Sequence, residues 1–429
     1  MALSRRAKVG LALALVAGAA LRLYCLSDME YKYDERWMFE RTVNVGTTEP
    51  FPWLGMPSGV SVRNPGMSVW VFLGLSRLLS ADEPVRLALG VVLLNLAALV
   101  LGLVYAIRRV PAEEREPWLW AIGLVALNPL AVIYSRKIWV CSPLPFFSML
   151  FLFAWSRREN RAGAFFWGLV GACLGQIHMS GFFYAFAFAA WDLFLGSYRE
   201  KKTRWRWWTL GSAAGALPLV PWVAYFFDAR SPSVSYMSWD QLLQSRFLGF
   251  WVSDPLGLHV GNSLGAKLGN SLLVQISDFL RYPMVGGEPT WLMAAAHAFL
   301  LAAGALAIAN GFHFLHSKSR RRLDVTLGTV SDSLFTQRAA LISYGFILTL
   351  STIMIRRIYL IITFPLEFVW LAGLCLRPGF AGRWGRGLLL AIAVVELAVS
   401  VTFLHYIHVN GGAENGDYGR SYRAQAGGD

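Results

Sequence analysis

Eleven stretches of this 429-residue chain are apolar and long enough to approach or match a membrane crossing, and basic clusters punctuate the gaps between them. A run of roughly 17–25 apolar residues matches the hydrocarbon thickness of a bilayer, and its backbone must then be helical, because no water is present to satisfy free N–H and C=O groups. The expected fold class is therefore all-α, a polytopic integral membrane protein. The first stretch, 9–23, follows Arg5, Arg6 and Lys8. No small-residue cleavage site follows it, and Leu23-Tyr24-Cys25 lacks the small residue that a lipoprotein cysteine needs, so it reads as a membrane helix entered from a cytoplasmic N-terminus. The further expected spans are 84–107, 118–134, 138–155, 162–177, 181–196, 207–227, 291–315, 338–355, 358–376 and 387–408.

Charge supports that topology. With eleven spans, one face carries Arg5, Arg6, Lys8, Arg108, Arg109, Arg115, Arg157, Arg158, Arg161, Arg199, Lys201, Lys202, Arg204, Arg206, Lys318, Arg320, Arg321, Arg322, Arg338, Arg377, Arg383 and Arg386. That is 22 of the 39 basic residues in short loops, as the positive-inside rule requires of a cytoplasmic face in a cell membrane. The net charge of +13 is thus spent on topology and follows no nucleic-acid-binding motif. Only 15% of residues are charged and 56% are hydrophobic, which argues against a soluble or disordered chain. Cys25, Cys141, Cys173 and Cys375 are scattered without CxxC spacing, so they read as neither a zinc site nor a disulfide framework. A domain spanning 1–408 is expected, with long exterior loops at 25–83 and 228–290 and a loose exterior tail at 409–429. The piece 66–79 is too short to cross and reads as a helix lying along the membrane surface.

The informative residues break the charge rule. Arg136 and Lys137 fall between the third and fourth spans, Arg356 and Arg357 between the ninth and tenth, and Arg63 lies in the first loop, all on the exterior face. Cations at one depth suit an anionic headgroup such as a lipid phosphate. The bland reading is snorkelling, or pairing with loop carboxylates. Asp34-Glu35 lies on the same face among aromatics, in Tyr31-Lys32-Tyr33-Asp34-Glu35-Arg36-Trp37. Such a pair can supply a general base or merely cap a helix. His178, where the fifth span reaches the exterior, reads either as a local hydrogen-bonding residue or as a contact to phosphate or sugar. Asp254 and His259 are weaker candidates for acceptor contact. Glu367 and Glu396 lie inside late helices, where a carboxylate needs a partner or a transported ion.

The order of these features resembles the GT-C class of membrane glycosyltransferases, above all its protein O-mannosyltransferase and aminoarabinose transferase branch. Four motifs over about residues 1–380 carry the likeness: Asp34-Glu35 after the first helix; Arg63-Asn64-Pro65-Gly66-Met67-Ser68-Val69-Trp70; Asn128-Pro129 with Tyr134-Ser135-Arg136; and Arg356-Arg357-Ile358-Tyr359 with Phe364-Pro365. The chain departs from the protein-mannosylating members at Cys141-Ser142, and it lacks their large sugar-binding insert. The resemblance implies a sugar donor carried on a polyprenyl phosphate. It also implies Asp34 as the base that activates the acceptor, Glu35 either orienting it or pairing with Arg36, and inversion at the anomeric carbon. Arg63, Arg136, Arg356 or Arg357 would hold the donor phosphate, with Tyr359 donating a hydrogen bond and Lys137 and His178 as further donor or acceptor contacts. The activated lipid makes a cofactor unnecessary, and the question of a divalent metal stays open. The partners are the lipid-linked sugar, an acceptor that is lipid, glycan or protein, and the bilayer, with no nucleic acid. A transporter or lipid flippase is the rival class, but the chain shows no duplicated halves. A lipid-diphosphate-dependent polymerase or ligase is a third.

Overall fold

A computed structural model describes residues 5–57, 62–196, 202–228, 242–258, 260–264, 277–319, 331–351, 355–378, 382–414 and 416–427. His259, Arg199, Lys201, Arg320, Arg321 and Arg322 lie outside them. The described chain is helical, with three short antiparallel ladders. Helix α1 (Arg5–Leu23) leads into the first long loop, which holds α2 (Tyr33–Val43), the paired strands β1 (Leu54–Pro57) and β2 (Arg63–Pro65), and α3 (Met67–Leu79). A helix is therefore present where the sequence predicts one. Ser68, Val69, Phe72 and Ser76 form its buried stripe at helical spacing, packed toward α2 and toward α4 (Pro84–Arg108).

Three described helices are long and apolar enough to cross a membrane: α4, 292–313 and 385–410. A fourth crossing is added if the bent pair 357–363 and 366–376, 74° apart, is one span. Helix α1 is unbroken over 19 residues but carries Arg5, Arg6, Lys8 and Arg22, whereas most of the remaining expected spans are shorter or interrupted, and proline accounts for several breaks. The expected span 118–134 is split into α5 (Arg115–Leu127) and α6 (Pro129–Tyr134), because Pro129 cannot donate to the preceding turn. Asn128 turns that break to use, capping α6 through its side-chain oxygen to the Ala131 N–H at 3.1 Å. The span expected from 138 begins as α7 only at Leu144, just after Pro143, and runs to Trp155. A turn through Pro218 likewise divides α10 (Trp205–Ala216) from α11 (Val220–Asp228).

Helix α8 (Arg161–Ile177) packs against α9 (Ser180–Leu195) and, most closely, against α10. A side chain at Gly211 would sit 1.9 Å from the Phe165 carbonyl, and one at Gly168 2.2 Å from that of Trp208. These glycines let two backbones touch where hydrophobicity alone gives no driving force. The short helices α12 (Arg246–Ser253) and α13 (Val260–Leu264) belong to the second long loop, which ends in the β3 (Met284–Val285) and β4 (Glu288–Pro289) hairpin before α14 (Leu292–Ser319). Then come α15 (Asp332–Arg338), a π-helical turn Ala339–Ser343, α16 (Tyr344–Leu350), the 3₁₀ segment Arg357–Thr363, α17 (Leu366–Leu376) and α18 (Gly385–Asn410). Buried indoles hold α15 in place: Trp118 donates to Ser333 at 3.0 Å and Trp155 to Thr336 at 2.8 Å.

The end of the chain is not a loose tail. After α18, strands β5 (Gly412–Ala413) and β6 (Gly419–Arg420) pair, and α19 (Tyr422–Ala426) lies on the first loop. The Tyr422 N–H donates to the Met29 carbonyl at 3.0 Å, and the Tyr418 hydroxyl to the Asp28 carbonyl at 2.6 Å. Backbone pairing holds this Gly-rich segment, and hydropathy does not register that.

Candidate functional site

The polar convergence of the fold is built around the irregular segment 134–142, between α6 and α7. Lys137 is buried and lies 2.7 Å from Glu30 and 3.7 Å from Glu35, with its ammonium 4.7 Å from the Trp139 ring centre. Burial opposes its charge, but the two carboxylates outweigh this and hold the amine protonated, above its ordinary range. Glu35 also accepts the Lys32 backbone N–H at 3.0 Å, fastening the first turn of α2. Of the expected catalytic pair, Glu35 is thus a buried cap and counter-ion. Asp34, its neighbour, is partly exposed, and among the described residues it accepts no hydrogen bond and forms no ion pair. It lies within electrostatic reach of the Cys141 sulfur.

The 356–359 turn also approaches Cys141. Tyr359 is within electrostatic reach of both Cys141 and Arg356. Arg357 stacks over Phe250, 4.9 Å from the ring centre, and its Nε lies 3.2 Å from the fully buried Asp254. Asp254 therefore steadies a cation, and its backbone carbonyl accepts from Asn128 at 2.9 Å. Arg356 is exposed, and among the described residues its guanidinium has no partner. The His178 ring lies 5.7 Å from that of Tyr359. Its Nδ1 accepts the Ser180 N–H at 3.2 Å, which leaves the ring proton on Nε2. Burial lowers its pKa to about 4, so the ring is neutral at physiological pH.

Two expected phosphate ligands are turned elsewhere. Arg136 is buried and donates to the Leu21 and Cys25 carbonyls, at 3.4 and 2.7 Å, closing the end of α1. Arg63 donates to the Gly55 carbonyl at 3.2 Å, and its own carbonyl accepts from Trp222 at 2.6 Å. The structure thus brings together Asp34, Glu35, Lys137, Arg356, Arg357, Tyr359 and His178, while the hydrogen bonds of Arg63 and Arg136 go outside that group.

Sequence reading missed Glu30, since a single acid in a loop carries no motif. Glu396 pairs with Asn128 at 2.8 Å and Glu367 with Thr363, each leaving one carboxyl oxygen without a hydrogen-bond partner among the described residues. A cavity of about 30 Å³, lined by Arg22, Asn95 and Tyr134 among apolar side chains, touches the site at Tyr134. It has room for a water or two and none for a sugar.

No family model matches the chain, and no curated protein does. Among solved structures it is similar to the Archaeoglobus fulgidus oligosaccharyltransferase in its apo form, at 14% identity and a TM-score of 0.46, over 92% of this chain and 56% of that one. The same enzyme, tethered through a disulfide to an acceptor peptide containing the NVT sequon, matches at 14% identity and a TM-score of 0.47, over 96% and 55%. ArnT from Cupriavidus metallidurans, bound to undecaprenyl phosphate, matches at 14% identity and a TM-score of 0.43, over 95% and 77%. The chain spans little more than half the length of the oligosaccharyltransferase chains.

Proposed function

We propose that this protein is a membrane glycosyltransferase. It moves a sugar from a polyprenyl-phosphate donor to an acceptor at the exterior face of a cell membrane, with its N-terminus cytoplasmic and eleven crossings. One observation carries the reading: Glu30 and Glu35 engage Lys137 and Asp254 engages Arg357, while among the described residues Asp34, near Cys141, and Arg356, near Tyr359, form no ion pair. A carboxylate with free lone pairs can take the proton of an attacking hydroxyl or amine. An exposed guanidinium can grip the departing lipid phosphate bidentately as its charge grows. The Nε2–H of neutral His178 and the Tyr359 hydroxyl add uncharged donors beside that cation. A single displacement of this kind inverts the anomeric centre.

The test is transfer from synthetic polyprenyl-phosphate sugars in proteoliposomes, comparing wild type with Asp34→Asn. Loss of transfer with the donor still bound supports the reading. Full activity in Asp34→Asn removes the base. A second reading, a transporter or flippase, draws on the buried carboxyl oxygens of Glu367 and Glu396 that lack partners. Flux of a labelled solute or lipid across the same proteoliposomes without transfer would favour it.

A further inference from the structure

A second constellation lies where the first span ends. We propose that Cys25, Asp28 and His408 bind a zinc-class divalent cation that clamps the end of α1 to the end of α18. The Cys25 sulfur, a carboxylate oxygen of Asp28 and a ring nitrogen of His408 all lie within 4.8 Å of one another. Thiolate, imidazole and carboxylate together form a donor set suited to Zn²⁺, with a fourth position left to water.

Two further observations favour a built site over a chance cluster. Cys25 stands at φ 43° and ψ 55°, the left-handed region that a side-chain-bearing residue adopts at a cost, and this turn directs its sulfur toward the group. Asp28, only 2% exposed, is oriented from behind, because Arg423 donates to its Oδ1 at 2.5 Å and leaves Oδ2 facing His408. Metal-ligating carboxylates are held by just such outer partners. The Tyr418 hydroxyl and the Arg136 guanidinium fix the backbone carbonyls of Asp28 and Cys25, at 2.6 and 2.7 Å.

Without metal, His408 Nδ1 donates to Asp28 Oδ2 at 2.5 Å. A tetrahedral cation with bonds of about 2.0–2.3 Å keeps its ligands roughly 3.3–3.8 Å apart, so this pair opens by about 1 Å on binding. The thiol proton is released and the Nδ1 proton passes to Nε2, so the ring ligates as neutral imidazole. A thiolate and a carboxylate balance the dication, which leaves Arg423 and Arg136 as the net positive charge around it. The ligands stand at opposite ends of the chain, so spacing rules that look for neighbouring cysteines pass over them. The clamp would tie the folded C-terminal segment to the loop that carries Asp34.

The purified full chain in detergent, stripped with chelator and titrated with Zn²⁺ or Co²⁺ alone, tests this without any transferase assay. The expected result is one equivalent per chain, a thiolate-to-cobalt charge-transfer band, and a zinc-dependent rise in Tm. Cys25→Ser should abolish the band and weaken zinc binding at least tenfold, His408→Ala should weaken it similarly, and Cys173→Ser should leave both unchanged. A monodisperse wild type that takes up under a tenth of an equivalent overturns the proposal and leaves a metal-free Asp–His–Arg triad. A cobalt band that survives Cys25→Ser also overturns it.

Discussion

Two regions of this molecule use the same chemistry to opposite ends. Near the end of α7, Arg158 is buried, donates to Asp192 at 2.9 Å, and lies 3.9 Å over the Trp155 ring. Thr203 donates to the other Asp192 oxygen at 2.5 Å. The two charges are paired with each other, although the second terminal nitrogen of Arg158 has no hydrogen-bond partner among the described residues. Around residues 134–142, ion pairs of the same kind surround Asp34 and Arg356, which are left unpaired. A closed pair serves the fold. An open pair held within a closed frame keeps its binding energy for something else, which is why burial and partners separate the two where residue type does not.

The largest expected effect falls on the open side. Asp34→Asn removes the proton acceptor and preserves shape, so transfer should drop about 10²–10⁴-fold. The melting temperature should stay at wild type. A variant that loses activity and stability together would place Asp34 among the closed charges and break the contrast.

Asp192→Ala is the mirror experiment. It strands the Arg158 guanidinium in a site that is 3% exposed, which costs about 3–5 kcal/mol. Thermal unfolding in detergent should show the loss, while activity per folded molecule stays constant. If instead stability holds and transfer collapses, the pair near α7 belongs to the machinery.

His178 gives a smaller, pH-dependent effect. Its pKa is about 4 in the fold against an ordinary 6.5, so between those values the unfolded chain binds a proton that the native one does not. The sign follows: the full contribution is present above pH 6.5 and drains away as pH falls toward 4, up to about 3 kcal/mol. Unfolding midpoints across that window should flatten in His178→Gln. An unchanged slope would show that the ring is not buried neutral.

How much of this was legible beforehand depends on range. Arg356 stood out because a cation on the exterior face breaks the positive-inside rule, Asp34 as half of an acidic pair among aromatics, and Tyr359 through the family resemblance alone, while the helix α3 was visible from its length and composition. The expected loose tail failed because a backbone bond from Tyr422 to Met29 and a bond from the Tyr418 hydroxyl to the Asp28 carbonyl join segments far apart in sequence, which hydropathy does not register. Arg136 read as a ligand because sequence gives a cation's depth and not its direction; three dimensions turn it onto the α1 carbonyls. Asn128-Pro129 was noted as a motif, yet its effect of breaking a span into α5 and α6 is a local rule that the apolar run masked.

The smallest effect sharpens the contrast most. Arg356→Ala deletes an exposed guanidinium that spends nothing on the fold, so stability should not move. If the residue grips the donor phosphate as charge develops, kcat should fall roughly 10- to 100-fold, with a lesser change in KM, because the contact strengthens only as the leaving group departs. Arg356→Lys should restore part of the rate, keeping the charge but not the two-pronged geometry. Arg357→Lys should behave differently, since that side chain also answers to Asp254 and Phe250 and its loss should appear first in the melting curve. Equal kinetic and thermal effects at the two neighbours would mean that the turn acts as one rigid unit, and the line between open and closed charge would have to be redrawn through Asp34 alone.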